Sequence, residues 1–332
     1  MVIDAYSHVC PSELLRALAD ESPSAEAGAL RNSYLWDADR RLRYMDRVGI
    51  DAQVLVLVRP PMWLGMERPV LHRLTRVAND SIAAMAAAHP DRLIGVGVLP
   101  VVDDVTIEEL HRVREELGMK GVLIFSNIEG KPLDDESMWP LYEAVATHDM
   151  VLWIHPQHGE THPWVKRDLL DRIFGWPFET TLAMARLVYG GVFERYPDIK
   201  FVTHHLGGMI PYYAERVEAL NHEVARYHAS SLTEASEPLK GRLTDHFRRF
   251  YNDTNVNGSA SALRCGLDFF GPERLLFGTD FPMGPNDGED WPVQILESLR
   301  ALDVAESERA LMLAGNCQRL LGLPLGVGQR QG

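Results

Sequence analysis

Residues 118–156 read GMKGVLIFSNIEGKPLDDESMWPLYEAVATHDMVLWIHP, and two near-continuous apolar runs, KGVLIF at 120–125 and MVLWI at 150–154, stand near their ends. Strands that are apolar at almost every position, rather than at alternate ones, are buried on both faces, as in a parallel sheet covered by helices. Runs of the same kind occur before this pair, at 2–5, 53–58 and 93–99, and after it, at 200–203, 250–253 and 274–278. Helical periodicity fills the intervals: Val70, Leu74, Val77, Ile82 and Met85 recur at spacings of three to five, and 291–302 and 308–321 repeat the pattern. Eight strand and helix units suit closure better than an open sheet, so the expected fold is α/β, a (β/α)8 TIM barrel.

The chain has 332 residues, 46% of them hydrophobic, enough for one large core, and one domain spanning 1–332 is expected. Its formal charge of −14, from 47 acidic and 33 basic residues, is spread along the sequence, and no Lys/Arg-rich stretch offers a footprint for nucleic acid or anionic lipid. The start, MVIDAYSHVCP, has no basic segment followed by an apolar run, and no apolar stretch of membrane-spanning length occurs, so a cytoplasmic protein is expected. Cys10, Cys265 and Cys317 lack CxxC spacing and read as reduced thiols. The polar stretches 22–33 and 230–239 read as surface excursions on connecting loops.

In such a barrel the reactive groups project from the C-terminal ends of the strands. There the sequence places Tyr6-Ser7-His8, Arg59, Ser126-Asn127, His155, His204-His205, Asp253-Thr254 and Thr279-Asp280. Imidazoles and a carboxylate converging on one rim suit a borderline divalent cation, with zinc expected and manganese the alternative. Taken singly, His8 or His155 reads equally well as a hydrogen-bonded core residue, and Asp280 as a helix cap before Phe281-Pro282. Their joint placement on strands one, five and eight favours the metal reading.

Several segments, in order, resemble the amidohydrolase-related group that includes aminocarboxymuconate-semialdehyde decarboxylase, γ-resorcylate decarboxylase and 5-carboxyvanillate decarboxylase. They are IDAYSH, VANDSIAAMAAAHPDRLIGVGVLP, residues 118–156, THHLGGMIPYYAERV, FYNDT, LLFGTDFP and GNCQRLLGL, from the first residue to about Leu323. The resemblance implies a metal-dependent barrel enzyme in which His8, His155 and Asp280 bind one divalent ion. It further implies that Asp280 handles protons and that His205, in the His-x-Gly-Gly pattern, orients water or substrate while His204 packs outside. Strand one departs from the family's His-x-His or Glu-x-His: Tyr6 stands at the first position, open to a role as weak ligand, hydrogen-bond donor or proton donor.

Arg59 is a candidate clamp for a substrate carboxylate, since a guanidinium holds two oxygens at once. Trp63, Trp164, Trp176 and Phe281, on loops after the strands, are candidate walls for a flat substrate, although aromatic residues in loops also serve packing. His158 and His162 lie near His155 but read as loop histidines. The reaction expected is non-oxidative decarboxylation of an aromatic or unsaturated carboxylic acid. Hydrolysis of a C–C, ester or amide bond by metal-activated water is the alternative, and a barrel without metal acting as a binding protein the reading from another class. A small-molecule carboxylic acid is the expected partner, in a homodimer or larger homo-oligomer.

Overall fold

The computed structural model describes residues 1–21, 32–58, 63, 65–157, 163–229, 239 and 241–323. Almost all of the stretches 22–33 and 230–239 lies outside the described residues, so their reading as loop excursions finds no structural counterpart here. Eight parallel strands form the barrel: β1 (Ile3–Val9), β2 (Ala52–Leu57), β3 (Leu93–Gly95 and, after Val96, Gly97–Val98), β4 (Gly121–Phe125), β5 (Val151–His155), β6 (Lys200–Thr203), β7 (Tyr251–Asp253) and β8 (Leu275–Leu276). Consecutive strands are hydrogen-bonded neighbours throughout, and β3 joins the two runs of pairing. The ring closes between its ends: Ala5 N–H donates to Phe277 O at 2.7 Å, Asp280 N–H donates to Tyr6 O at 2.9 Å, and Ser7 bridges Phe281 in parallel.

The outer helices follow from the apolar periodicity. Arg68–Ala88 buries Leu71, Leu74, Ala78 and Ile82, and the C-terminal repeat becomes the consecutive helical segments Glu306–Ala310, Leu311–Gly315 and Asn316–Leu321. Inside the barrel, fully buried Trp153 forms a floor, its indole N–H donating to Ala5 O at 3.1 Å. Gly121 on β4 makes room for that ring, since a Cβ there would stand 2.4 Å from it. No helix among the described residues is long and apolar enough to cross a membrane.

β1 runs four residues beyond the apolar run that announced it, and a register shift between Asp4 and Ser7 inserts a bulge. A bulge re-aims side chains beside functional sites, and here Asp4 and Ser7 take the register of Gln53 and Leu55 on β2. Behind β1 lies a buried polar network. Asp4 accepts from Thr279 Oγ1 at 2.6 Å and Gln53 Nε2 at 3.0 Å, and Arg41 donates to Gln53 Oε1 at 2.8 Å, to Tyr34 O at 2.7 Å and to the His8 carbonyl. Arg41 thus fixes the backbone of the residue whose imidazole faces the mouth.

Candidate active site

Four imidazoles, a phenol and two carboxylates meet above the Trp153 floor, each delivered by the end of a strand. His8 on β1 is 1% exposed; its Nδ1–H donates to Val56 O at 3.3 Å, which leaves Nε2 facing Asp280 Oδ1 at 3.0 Å. His155 closes β5, donates from Nδ1 to Pro156 O at 2.7 Å, and lies 5.2 Å from the His8 ring, centroid to centroid. Ser126, after β4, braces this corner by accepting from Gln157 N–H at 2.8 Å, and its own N–H donates to His155 O at 2.9 Å.

Asp280 follows β8 with φ of +63°, a left-handed turn that carries its carboxylate inward. It caps no helix: the next helical segment is Asn286–Gly288. Burial opposes its ionisation, but His204 and His8 outweigh that and hold the carboxyl far below its ordinary range. His204, at the end of β6, is 1% exposed, with Nδ1 on the Asp253 carboxylate and Nε2 at 3.5 Å from Asp280 Oδ1. Burial disfavours its charge, yet Asp253 and Asp280 together raise it to about 10. His155 moves the other way: burial, then His8 and His204, push it well down, so its imidazole is neutral.

The expectation that one of the two adjacent histidines packs outside differs from what is seen. Both rings reach the mouth, 3.9 Å apart, because His205 and Leu206 both adopt positive φ and turn the chain sharply. His204 is the deeper of the two. His205 lies nearer the rim, 6.4 Å from Trp176, neutral because burial and His204 push it well down, and its buried Nδ1 has no partner among the described residues.

Tyr6 stacks on His204 at 4.2 Å and 13°, and its hydroxyl donates to Ile154 O at 3.3 Å. Burial, and then Asp253 and Asp280, push its pKa well up, so the phenol is protonated and makes a poor ligand. Trp176 stands 6.0 Å from His155, and Trp63 lines a pocket with Phe125, Val101 and Gln157. Phe281 is elsewhere. Its ring stacks on Tyr44 at 4.5 Å and packs against Tyr34, fully buried on the outer side of β1, because the left-handed turn at Asp280 sends the next side chain outward. Its expected part in the substrate wall is corrected to packing. Arg59, His158 and His162 lie outside the described residues, as does the side chain of Trp164, which belongs to the segment Pro163–Leu169.

Within the donor set, His8 Nε2 and Asp280 Oδ1 have the spacing of two ligands of one divalent cation, whereas among the described residues no three ligand atoms at the mouth lie within 4.8 Å of one another. With its Nδ1–H committed to Val56, His8 presents Nε2 to a carboxylate oxygen 3.0 Å away, a pair that a proton or a cation between them can join. Ligands bonded to one ion at ~2.0–2.2 Å stand about 3 to 3.5 Å apart, which that spacing meets. The group of three among the described residues whose ligand atoms do lie within 4.8 Å of one another is His111, Glu115 and His148, on the outer helix Asp104–Glu115 and just past Trp139–Thr147. It is separate from the mouth.

The sequence profile of the amidohydrolase family matches residues 3–323. The chain belongs to that family. It is 33% identical over 295 residues to 2-amino-3-carboxymuconate-6-semialdehyde decarboxylase of Dictyostelium discoideum, covering 88% of this chain and 78% of that protein. Against γ-resorcylate decarboxylase of Polaromonas sp. JS666 the identity is 30%, over 95% of this chain and 97% of the relative. A dihydroxybenzoic acid decarboxylase from Polaromonas sp. JS666, solved with manganese and the inhibitor 2-nitroresorcinol, superposes with a TM-score of 0.76 at 26% identity, covering 97% of each chain. Within this amidohydrolase the site holds two groups that the sequence reading did not place there: His204, expected to pack outside, and Asp253, named at a strand end without a role. The signal was available in FYNDT, a carboxylate closing a buried strand beside a strand that ends in two histidines.

Proposed function

We propose that this amidohydrolase is a metal-dependent carboxy-lyase that removes carbon dioxide, without redox change, from an aromatic or unsaturated carboxylic acid. One observation carries the reading: near full-length similarity to decarboxylases, at 33% and 30% identity, joined to a mouth of imidazoles and carboxylates. His8, His155 and Asp280 would hold the cation, whose positive charge anchors and polarises a substrate carboxylate and a neighbouring oxygen. Manganese is the ion of the Polaromonas structure, whereas zinc suits two imidazoles and a carboxylate equally well.

Asp280 is ionised, so any proton it delivers must first be taken from a substrate hydroxyl or from water. As the C–CO2 bond breaks, its electron pair stays on the ring carbon, which accepts that proton, and carbon dioxide leaves. His205, neutral and with an unpartnered Nδ1, orients the substrate from the rim, and Trp176 flanks it. The buried indole N–H of Trp63, unpartnered among the described residues, is a donor for a substrate oxygen. Tyr6 positions His204 through its ring, and Arg59 remains a proposed carboxylate clamp.

We read the protein as one cytoplasmic domain that assembles as a homodimer. Phe174, Phe178 and Leu182, at successive helical turns, are 69%, 47% and 43% exposed, and Tyr212, 77% exposed, adds to the apolar surface that a second copy would cover. The deciding experiment incubates protein of known metal content with a panel of hydroxybenzoates and muconate-type acids. Carbon dioxide and the product one carboxyl lighter are expected in equal amounts; a hydrolysis product without carbon dioxide would overturn the assignment.

A further inference from the structure

We propose that His111, Glu115 and His148 form a zinc site of their own on the outer helical layer, independent of the metal reading of the mouth. His111 and Glu115 lie on the helix Asp104–Glu115, and their i, i+4 spacing puts both side chains on one face. His148 follows the helix Trp139–Thr147 directly. His111 Nδ1 stands 2.7 Å from His148 Nε2, which is 3.9 Å from Glu115 Oε1, and the two rings meet edge to face with 4.9 Å between centroids. Two imidazole nitrogens and a carboxylate oxygen are a set that zinc takes while keeping a fourth place for water. The Glu115 side chain is 65% exposed, so water reaches that place.

The fold favours positive charge at this point. His111 and Glu115 sit at the end of their helix and His148 caps the end of the next, where the carbonyl ends of both helices carry partial negative charge. The place is also the face of the barrel opposite the mouth: His148 stands just before the start of β5, and the far end of that strand carries His155. Residues on that face of a barrel serve stability rather than chemistry. An ion there ties the helix before β4 to the helix before β5. Ligands of one zinc stand about 3 to 3.5 Å apart, so the two nitrogens open slightly and the exposed Glu115 carboxylate swings in. Without the ion the imidazoles share a hydrogen bond; on binding, the proton between them moves to the far nitrogen of its own ring, and each ring turns a lone pair to the metal.

The test strips whole protein with chelator and titrates it with Zn2+, comparing wild type with His148→Gln and Glu115→Gln. Wild type should take up one ion more than His148→Gln, and both variants should hold zinc at this site at least ~10- to 100-fold more weakly, the loss that even an indirect partner of a metal causes. Saturating Zn2+ should also raise the melting temperature of wild type more than that of His148→Gln, since an ion that binds only the folded chain stabilises it. His155→Ala, which strikes the mouth alone, should keep the ion that depends on His148, so this site and the metal reading of the mouth stand or fall separately. Anomalous diffraction at the zinc edge from wild-type crystals should place a peak between the three side chains, a readout that needs no variant to fold. Equal uptake or an equal rise in melting temperature for wild type and His148→Gln, binding at millimolar Zn2+ only, or no peak at the three side chains would overturn the proposal and leave the two histidines a hydrogen-bonded pair.

Discussion

Two aspartates on neighbouring strands of the closed ring, Asp4 on β1 and Asp280 after β8, are 0% and 5% exposed, yet the protein moves them in opposite directions. Burial lifts Asp4 to about 7, since Thr279, Gln53 and the Tyr6 N–H, which hydrogen-bond it, are neutral donors and only Arg41 contributes charge. Asp280 faces two imidazoles and is held ionised. The networks around them differ in the same sense. Among Asp4, Gln53, Arg41, Ser7 and Thr279 no buried polar atom is left without a partner, whereas at the mouth His205 Nδ1, and in the adjoining pocket Trp63 Nε1, are unpaired among the described residues. Buried polar groups that satisfy one another hold a fold in place, and those left open mark where something else binds.

The largest effect should come from breaking the closed network. Arg41→Met leaves the carbonyls of Tyr34 and His8 and the Gln53 amide oxygen buried without their donor, which should cost about 3–5 kcal/mol in chemical denaturation. A variant as stable as wild type would show that the network behind β1 does not hold the barrel. At the mouth the order reverses. Asp280→Asn keeps shape and burial but removes the base and the charge that His8 and His204 face, so turnover should fall at least ~10²-fold and the melting temperature should also drop. An active and stable Asp280→Asn enzyme would erase the difference drawn between the two aspartates.

The barrel was legible because parallel, doubly buried strands write themselves as apolar runs, and each of the eight runs coincides with a strand. His8, His155 and Asp280 were legible as a set because strand ends in a barrel share one rim. What escaped depends on backbone turns that carry no periodic signal. Positive φ at His205 brings both adjacent histidines inward, and positive φ at Asp280 sends Phe281 out to Tyr44. The extension of β1 to Val9 was hidden for a related reason: Ser7 is buried on a strand, but its hydroxyl donates to Val54 O at 2.8 Å and so needs no water.

The pH dependence of stability sharpens the comparison further. Asp4 binds its proton more tightly folded, at about 7, than its ordinary value of 3.8, so its contribution is complete below that value and is lost as pH rises toward 7. Asp280 does the opposite: its contribution is present above 3.8 and is lost only as pH falls below it. Between about pH 4 and 7 the Asp4 slope should be at most about 1.4 kcal/mol per pH unit. Asparagine mimics the protonated acid, so Asp4→Asn should remove that slope. Parallel stability curves for variant and wild type across this window would contradict the raised value.

The smallest effect should come from Tyr6, which touches both networks: its N–H donates to Asp4 Oδ1 at 3.2 Å, and its ring covers His204. Tyr6→Phe keeps the ring and loses one hydrogen bond to Ile154 O, a bond whose removal typically costs about 1 kcal/mol. The carbonyl left behind is buried, which keeps the cost from vanishing, and the stack that orients His204 is retained. Metal content should therefore equal that of wild type, and turnover should fall less than ~10-fold, below the ~10²-fold step that marks loss of a general acid or base. Full metal occupancy with a 10²-fold loss of turnover would make the phenol a proton donor. Loss of metal instead would make its oxygen a ligand, and in either case Tyr6 would belong to the open network at the mouth rather than to the packing beneath it.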